Sequence, residues 1–216
     1  MKPPILTKTG GSMFEFIGNK EVLGGLSVVI MVVAYGVQIG KTLFGKAEPH
    51  PITWFGFGFL TGAGYLVQFQ KGAGAGSWVM GFTTLFCFLV GLASQHKRRW
   101  RLRDFDFWDY LALALGIGLF LLYVLSRNIS WGPLVSAVFV TAADLVLYYP
   151  MLKKTWWEPH SDTAVSYGLN SLKFIPSLFA MEAYSWETCL YPAILIVANA
   201  GVVVYLWWRR NLCVNV

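Results

Sequence analysis

The sequence predicts an all-α integral membrane protein with seven transmembrane helices, and its composition, its run lengths and its charge spacing together predict this class. Hydrophobic residues make up 56% of the 216 residues and charged residues only 13%, about half the charged share of a soluble domain. A soluble protein of this composition would expose apolar surface that it could not cover, whereas lipid solvates such surface readily. The 22 glycines fit the same class, because membrane helices use small residues to bring backbones close together.

Seven apolar runs reach the length of about 20 residues that a helix needs to cross a bilayer. They are too long for strands and lack the alternation of polar and apolar residues that strands show. Short connections with Gly, Pro or charge separate them, such as Gly45–Pro51, Lys71–Gly76 and Glu158–Asp162. In chain order the predicted spans are Val22–Leu43, Ile52–Gln70, Ser77–Gln95, Trp108–Ser126, Trp131–Leu152, Thr163–Ala183 and Thr188–Trp208.

Tryptophans recur near the ends of these spans, where indole rings concentrate at the membrane–water interface. Each is interpreted as an interfacial anchor, and Trp54 is also a candidate substrate-binding residue. The set is Trp54, Trp78, Trp108, Trp131, Trp157, Trp186 and Trp207.

The Lys and Arg residues divide unevenly between the two sides that seven spans define. One side receives eleven of them and the other side five. The positive-inside rule makes the richer side cytosolic, so the N-terminus is expected outside and the C-terminus inside, in a bacterial inner membrane. The linker Lys97–Asp109 is the largest basic block, and a topology determinant is preferred there over anionic lipid or nucleic acid binding.

Several classes of function are excluded by what the sequence lacks. Cys87, Cys189 and Cys213 lie in distant segments, so neither a disulfide framework nor a metal-ligand spacing is present. No catalytic triad or HExxH pattern occurs, and we expect no enzyme activity, no metal and no cofactor. The polar segment Met1–Ser12 lacks the apolar core of a signal peptide and is interpreted as a short tail.

An internal repeat divides the chain into two units. Each predicted three-span unit ends in a basic pair, Arg98-Arg99 or Arg209-Arg210. Tyr, Lys-Thr and Glu-Pro-His recur in the same order in both units, which indicates duplication. The matching residues are Tyr35, Lys41-Thr42 and Glu48-Pro49-His50 in the first unit, and Tyr148, Lys154-Thr155 and Glu158-Pro159-His160 in the second.

An odd number of spans between two units restores their orientation, so the repeat is predicted to be parallel. Transporters with parallel repeats bind their substrate near mid-membrane at the interface of the two units. The predicted organisation is a tail at 1–19, a first three-helix repeat at 20–100, a linker and fourth helix at 101–128, a second repeat at 129–210 and a C-terminal tail at 211–216.

This three-plus-one-plus-three layout resembles the PQ-loop superfamily, which includes the SWEET sugar transporters, nicotinamide riboside transporters, lysosomal amino-acid exporters and the KDEL receptor. The Pro-Gln step before Lys-Thr is degenerate, with Val37-Gln38 in one unit and Pro150-Met151 in the other. The resemblance implies a pocket Asn on the third helix of each unit. Asn199 matches that position in the second unit, and the first unit offers Leu89.

A polar stripe on the sixth span is the most specific candidate site. Ser166, Asn170, Lys173 and Ser177 are spaced by three or four and therefore share one helix face. Lys173 lies about halfway along the span, where a charge costs about 3 kcal/mol or more and should face the bundle interior with a partner. Asp144, on the fifth span, is the acidic residue within reach.

Two interpretations of Lys173 and Asp144 remain open. Either they contact cargo or exchange protons, or they form a structural ion pair. Asn170 and Asn199 are expected to supply hydrogen bonds to cargo or between helices. The candidates for a gate or hinge are Tyr35, Gln38, Tyr148, Pro150 and Pro176.

The sequence therefore predicts a transporter that moves a small polar metabolite by alternating access: a sugar, a vitamin-like molecule, or an amino or organic acid. The alternative is a heptahelical receptor or sensor that binds a ligand without moving it. The expected partners are the lipid bilayer and the cargo, with no nucleic acid, and the formation of a homo-oligomer is left open.

Overall fold

A computed structural model describes residues 19–126 and 132–214, and within these ranges it contains seven α-helices and no strand. The helices connect through short turns, two of which contain 3₁₀ segments, Gly74–Ser77 and Leu102–Asp104. The helices are α1 (Lys20–Leu43), α2 (Pro51–Gln70), α3 (Trp78–Arg98), α4 (Phe107–Ser126), α5 (Gly132–Trp157), α6 (Ala164–Phe179) and α7 (Trp186–Val214). The all-helical class is as predicted.

Local chemistry explains several of the helix ends. The Asn19 side chain caps α1 by accepting hydrogen bonds from the backbone N–H groups of Glu21 and Val22. Pro51 occupies the first turn of α2, where its missing N–H costs nothing. Arg99 ends α3 in the left-handed conformation, with φ 54°.

Four helical segments of the described chain are long and apolar enough to cross a membrane. These segments, Lys20–Leu43, Gly74–Arg98, Phe107–Ser126 and Trp186–Leu212, make the chain a membrane protein. The other three helices, α2, α5 and α6, are too short or not apolar enough to qualify by length and composition. Helix α6 has only 16 residues, and α5 and α6 carry the polar residues that face the centre of the bundle.

Three helix ends differ from the predicted spans by four residues or more. Helix α5 continues five residues past Leu152 to Trp157, and α7 continues through 211–214, because a helix extends beyond the apolar run that defines a span. Helix α6 ends at Phe179 instead of Ala183, because the chain turns there: the Glu182 amide donates to the Ala73 carbonyl and the Lys20 ammonium donates to the Met181 carbonyl. The predicted tail at 1–18 and Trp131 lie outside the described residues.

Helix packing is equivalent in two groups of three helices, α1–α3 and α5–α7, which we call the two units. Helix α3 contacts both α1 and α2, and α7 contacts both α5 and α6. In the part of the chain described, the backbones of α1 and α2 do not pack against each other, and neither do those of α5 and α6. Across the two units, α1 packs on α6 and α2 packs on α5, so exchanging the units reproduces these contacts. Helix α4 lies outside this pattern and packs mainly on α5.

The basic connections meet at one end of the bundle, which we call the basic end. There Arg98 and Lys154 both pair with Glu48, and Lys153 pairs with Asp106. The two Glu-Pro-His turns lie side by side, with the Glu48 amide 2.7 Å from the Ser161 carbonyl. The opposite end holds Lys20 and the Lys71–Glu187 pair.

Candidate functional site

A small closed cavity lies at the centre of the bundle, between the two units. Its volume is about 20 Å³, which is room for about one water molecule. All helices except α4 contribute to its wall. The lining residues are Tyr35, Trp54, Phe57, Thr61, Thr83, Cys87, Asp144, Tyr148, Tyr167, Asn170, Lys173, Phe174, Leu195 and Asn199.

Lys173 is buried in this cavity, with 1% of its surface exposed. Its ammonium donates to Thr83 Oγ1 at 2.7 Å and lies 3.5 Å from the Tyr35 hydroxyl. The same nitrogen lies 4.7 Å from the ring centres of Tyr35 and Phe174, which is cation–π range. The ammonium is therefore stabilised by one short hydrogen bond to a hydroxyl and by cation–π contacts with two aromatic rings.

Asp144 lines the same cavity and is 2% exposed. Its Oδ1 atom has no hydrogen-bond partner among the described residues. The ion pairs in the described part of the chain do not include one between Lys173 and Asp144. The two charges that the sequence suggests as a pair thus share a cavity without touching in this conformation.

Two further buried polar atoms of the cavity wall lack partners. They are the carbonyl Oδ1 of Asn170 and the indole N–H of Trp54, again counted within the described ranges. A buried polar atom left unpaired costs about 1–3 kcal/mol, so such atoms concentrate where a ligand or water completes them. The cavity offers one donor and two acceptors of this kind.

The apolar wall is aromatic. The Tyr35 and Trp54 rings meet edge to face with centres 5.8 Å apart, and Phe57 lies 4.6 Å from Tyr148. Trp54 is only 1% exposed and so is not the interfacial anchor that its position near a span end suggests. By contrast, Trp157 and Trp186 are largely exposed, as expected of anchors.

The other predicted site residues fall into two groups. Asn199 and the repeated pair Tyr35 and Tyr148 line the cavity, and Asn199 Nδ2 donates to the Leu195 carbonyl. Ser166 and Ser177 do not line it. They lie on the same buried face of α6, one toward each end, and bond to other helices or turns. Pro150 and Pro176 are buried within α5 and α6.

The third helix of the first unit contributes Thr83 and Cys87, which the sequence did not single out. Leu89, the residue matched to Asn199 there, is 39% exposed and faces outward. Cys87 instead occupies the corresponding place in the cavity wall, and its Sγ lies 3.2 Å from the Tyr35 hydroxyl. A repeat alignment whose offset is two residues larger identifies Cys87 as the match of Asn199.

Both ends of the cavity are closed by contacts between the units. At the end that holds Lys20, Ser177 Oγ donates to the Gly76 carbonyl at 2.7 Å and Gln68 Nε2 donates to the Thr188 carbonyl at 2.8 Å. At the basic end, Ser166 Oγ donates to the Ala34 carbonyl at 2.9 Å and Gln38 Nε2 donates to Asp162 Oδ1 at 3.0 Å. These contacts join the two units on both sides of the cavity, whose lining residues are all buried.

Comparison of the chain with protein-family models, curated proteins and solved structures finds no match. The assignment of the site therefore rests on its own geometry.

Proposed function

We propose that this chain is a membrane transporter that moves a small polar metabolite by alternating access between its two three-helix units. One observation carries the proposal: Lys173 and Asp144, both buried and not paired with each other, line one occluded cavity between the units. Ionisable groups at such depth are costly, and in membrane proteins they mark substrate or ion pathways.

The arrangement of the helices supports the mechanism. We infer seven spans in a three-plus-one-plus-three layout, with α1–α3 and α5–α7 as parallel repeats and α4 as the connection. The contacts α1 with α6 and α2 with α5 are equivalent under exchange of the units. A site on the axis that relates two such units can open to either side by rocking them. This layout is the basis of the resemblance to the PQ-loop superfamily, which is part of the proposal.

The state of the cavity fits one step of such a cycle. A volume of about 20 Å³ excludes any metabolite larger than water, so loading requires the units to separate at one end. At each end a few hydrogen bonds join the units, each worth about 1 kcal/mol, and at the basic end the Lys154–Glu48 ion pair joins them as well. A cargo that favours one conformation can shift an equilibrium of that size.

The chemistry of the wall favours a zwitterion with a ring or apolar body among the cargo classes that the sequence allows. Lys173 offers a cation to a carboxylate, and Asp144 offers an anion to an ammonium group. Binding between them would replace two separate buried charges by two ion pairs. The faces of Tyr35, Trp54 and Tyr148 suit a planar or apolar side chain.

We place the protein in the bacterial inner membrane with its basic end in the cytosol, following the positive-inside rule. The eleven Lys and Arg residues assigned to that side include Arg98, Lys153 and Lys154, which meet at the basic end. The C-terminus then lies in the cytosol and the N-terminus outside.

Flux into sealed vesicles with the purified protein tests the function. Three probes on one scaffold separate the charges: phenylalanine carries both, 3-phenylpropionate only the carboxylate, and phenethylamine only the ammonium. We expect flux of phenylalanine alone, and its loss in the Lys173→Met variant. Stabilisation by phenylalanine in a thermal-shift assay without flux would favour the receptor alternative.

A further inference from the structure

Asp162 is a buried carboxylate of the basic end that the sequence places in an ordinary turn. It is 3% exposed although it lies outside the helices, between α5 and α6. Its Oδ1 accepts hydrogen bonds from Gln38 Nε2 at 3.0 Å and from the Thr163 amide at 2.9 Å. Its Oδ2 accepts from the Tyr167 hydroxyl at 3.1 Å. The bond to Gln38 joins α1 of the first unit to the start of α6 in the second.

The repeat shows that this link exists on one side only. Gln38 lies three residues after Tyr35, and the residue three after Tyr148 is Met151. Asp162 lies two residues after the second Glu-Pro-His turn, and the residue two after the first is Ile52. At the equivalent junction of α5 with the start of α2, the two matching positions are therefore both apolar. Met151 is buried and Ile52 is partly buried against the core.

We propose that Asp162 and Gln38 form a proton-controlled latch that closes the α1–α6 side of the basic end, and that the α5–α2 side has no counterpart of this latch. The proposal rests on the alternating access proposed above. Opening at this end must break the Gln38–Asp162 bond and expose the carboxylate to water.

The surroundings of Asp162 determine how it responds to protons. Lys154 approaches from α5 and the Arg210 guanidinium from α7, where it donates to the Asp162 backbone carbonyl at 2.8 Å. Tyr167 faces it from α6. The adjacent turn brings Glu48, whose carboxylate pairs with Lys154 and Arg98. Lys154 pairs with Glu48 and Glu158, and Arg210 donates to the backbone carbonyls of Pro159 and Asp162, so the Asp162 carboxylate has no ion pair of its own in the described ranges.

Burial raises the pKa of Asp162 from 3.8 to about 6, against the hydrogen bonds from Thr163, Tyr167 and Gln38 and the charge of Lys154, all of which lower it. In the open state, water surrounds the carboxyl and its pKa returns toward 3.8. The closed state therefore binds the proton more tightly, and acidification between about pH 6 and pH 4 favours closure. Over this window the ratio of closed to open shifts by up to about 100-fold.

Gln38 is suited to both protonation states of its partner. Its Oε1 atom is buried and has no hydrogen-bond partner among the residues described. Half a turn of the amide exchanges Nε2 and Oε1, so a protonated Asp162 can donate to the oxygen where the ionised form accepted from the nitrogen. Met151, its counterpart in the repeat, has no such capacity.

Distances between spin labels test the latch without any cargo. Labels on Leu43→Cys and Val165→Cys report the separation of α1 and α6 at the basic end, since both residues are exposed. The background carries Cys189→Ser and Cys213→Ser and keeps the buried Cys87. Distance distributions are recorded in lipid nanodiscs at about pH 4.5 and about pH 7.5, on either side of the titration.

We expect the long-distance fraction of the parent to rise severalfold at the higher pH. Asp162→Asn, which copies the protonated carboxyl, should keep the short distance at both values. The double variant Gln38→Met with Asp162→Ile, which copies the apolar junction of the other side, should do the same. Glu21→Gln, which removes an exposed carboxylate at the opposite end of the bundle, should behave like the parent.

A parent distance that does not change with pH, or an Asp162→Asn variant that still follows the parent, overturns the latch. If Asp162→Asn does not fold, the double variant Gln38→Met with Asp162→Ile replaces it. A distance in that variant that still changes with pH as in the parent overturns the latch. Because no cargo is present, the result is separate from the transport assay. Flux without a pH-dependent distance would overturn the latch alone, and a pH-dependent distance without flux would overturn only the transport function.

Discussion

The Lys173 ammonium donates its shortest hydrogen bond, 2.7 Å, to the hydroxyl of Thr83, on a helix of the other unit. A buried ammonium that depends on a neutral hydroxyl, with a carboxylate elsewhere in the same cavity wall, is ready to exchange that partner for a stronger one. Hydrogen bonds to charged groups are worth about 1.5–3 kcal/mol. The bond also ties α6 to α3 across the interface between the units.

Thr83→Val tests this bond with little change in side-chain volume. It leaves the ammonium with only the distant Tyr35 hydroxyl, so we expect a loss of about 1–3 kcal/mol in the free energy of unfolding. Thr84→Val is the control, because Thr84 bonds to the Met80 carbonyl and Thr61 and does not contact Lys173. Denaturation in detergent followed by circular dichroism gives both values. Equal losses in the two variants would show that the Lys173 bond has no special weight.

Neighbouring glycines on α1 give a matched pair for the closure at the end that holds Lys20. A Cβ at Gly24 would lie 2.7 Å from the Ala75 carbonyl oxygen, a backbone atom that cannot move aside easily. A Cβ at Gly25 would have no neighbouring atom within 4 Å. We expect Gly24→Ala to destabilise the protein by about 1–3 kcal/mol and Gly25→Ala to be neutral or to stabilise it by up to about 1 kcal/mol. Thermal unfolding of the two variants measures this difference. If Gly24→Ala is as stable as Gly25→Ala, this end of the bundle does not pack as closely as described.

The sequence predicts the helices and the polar stripe well because both depend on local spacing. Asn170 and Lys173 share a buried face simply because they are three residues apart on a helix. What lies opposite that face depends on how each neighbouring helix is rotated about its axis, which only packing determines. Thr83 and Cys87 were therefore missed, and Leu89 was chosen in place of Cys87.

Other features of the site depend on contacts between distant residues. Trp54 has the sequence signature of an interfacial anchor, and only the packing of α2 against its neighbours turns it into the cavity. Asp162 precedes a helix, where an acidic residue is usually a cap. Its role follows from Gln38, 124 positions away in the chain. A tertiary partner of that kind leaves no local pattern.

The orientation of the chain is the next prediction. A reporter enzyme fused after Val216 should be active only in the cytosol, and a tag at Met1 should be accessible to a membrane-impermeant reagent from outside. The reason is the excess of Lys and Arg on one side, which favours retention of that side in the cytosol. Finding both ends on the same side of the membrane would contradict the seven-span layout and the parallel repeat together.

Glu48 predicts a dependence of stability on pH with a sign opposite to that of Asp162. Partial burial opposes the shift, but the hydrogen bond from Arg98 and the charge of Lys154 lower the pKa of Glu48 below its ordinary 4.5. Its contribution to stability is thus fully present above pH 4.5 and is lost as the pH falls through the lowered pKa. The Glu48 side chain is 42% exposed, so solvent screens its ion pairs and the contribution is small.

Melting temperatures of Glu48→Gln and the parent, measured at several pH values, test this sign. We expect the parent to melt a few degrees higher near neutral pH and the difference to shrink in acid. Glu158→Gln controls for removing an exposed carboxylate from the same end of the bundle. A difference that grows as the pH falls would show that Glu48 is not held ionised by Arg98 and Lys154.

The last prediction separates scaffold from site at Lys173 and Asp144. Lys173→Met keeps the length and apolar volume of the side chain and removes its charge. It leaves Asp144 as the sole charge of the cavity wall. Asp144→Asn, conversely, leaves Lys173 as the sole charge. Each single change removes the long-range attraction between the two charges, so we expect it to lower the free energy of unfolding, by less than the roughly 3–5 kcal/mol lost when a contacting buried pair is broken. The double change removes both desolvation costs, so its stability should return close to that of the parent.

Binding should not return with stability. A cargo that inserts its own charges between Lys173 and Asp144 loses both ion pairs in the double variant, and the aromatic wall alone cannot replace them. We therefore expect the double variant to fold well and to show neither a phenylalanine-induced thermal shift nor phenylalanine flux. Because the two charges do not touch in the occluded state, the recovery of stability measures their long-range attraction and their shared burial. A double variant that binds and transports like the parent would assign both charges to the scaffold, and the search for the cargo site would move to Asn199 and the aromatic wall.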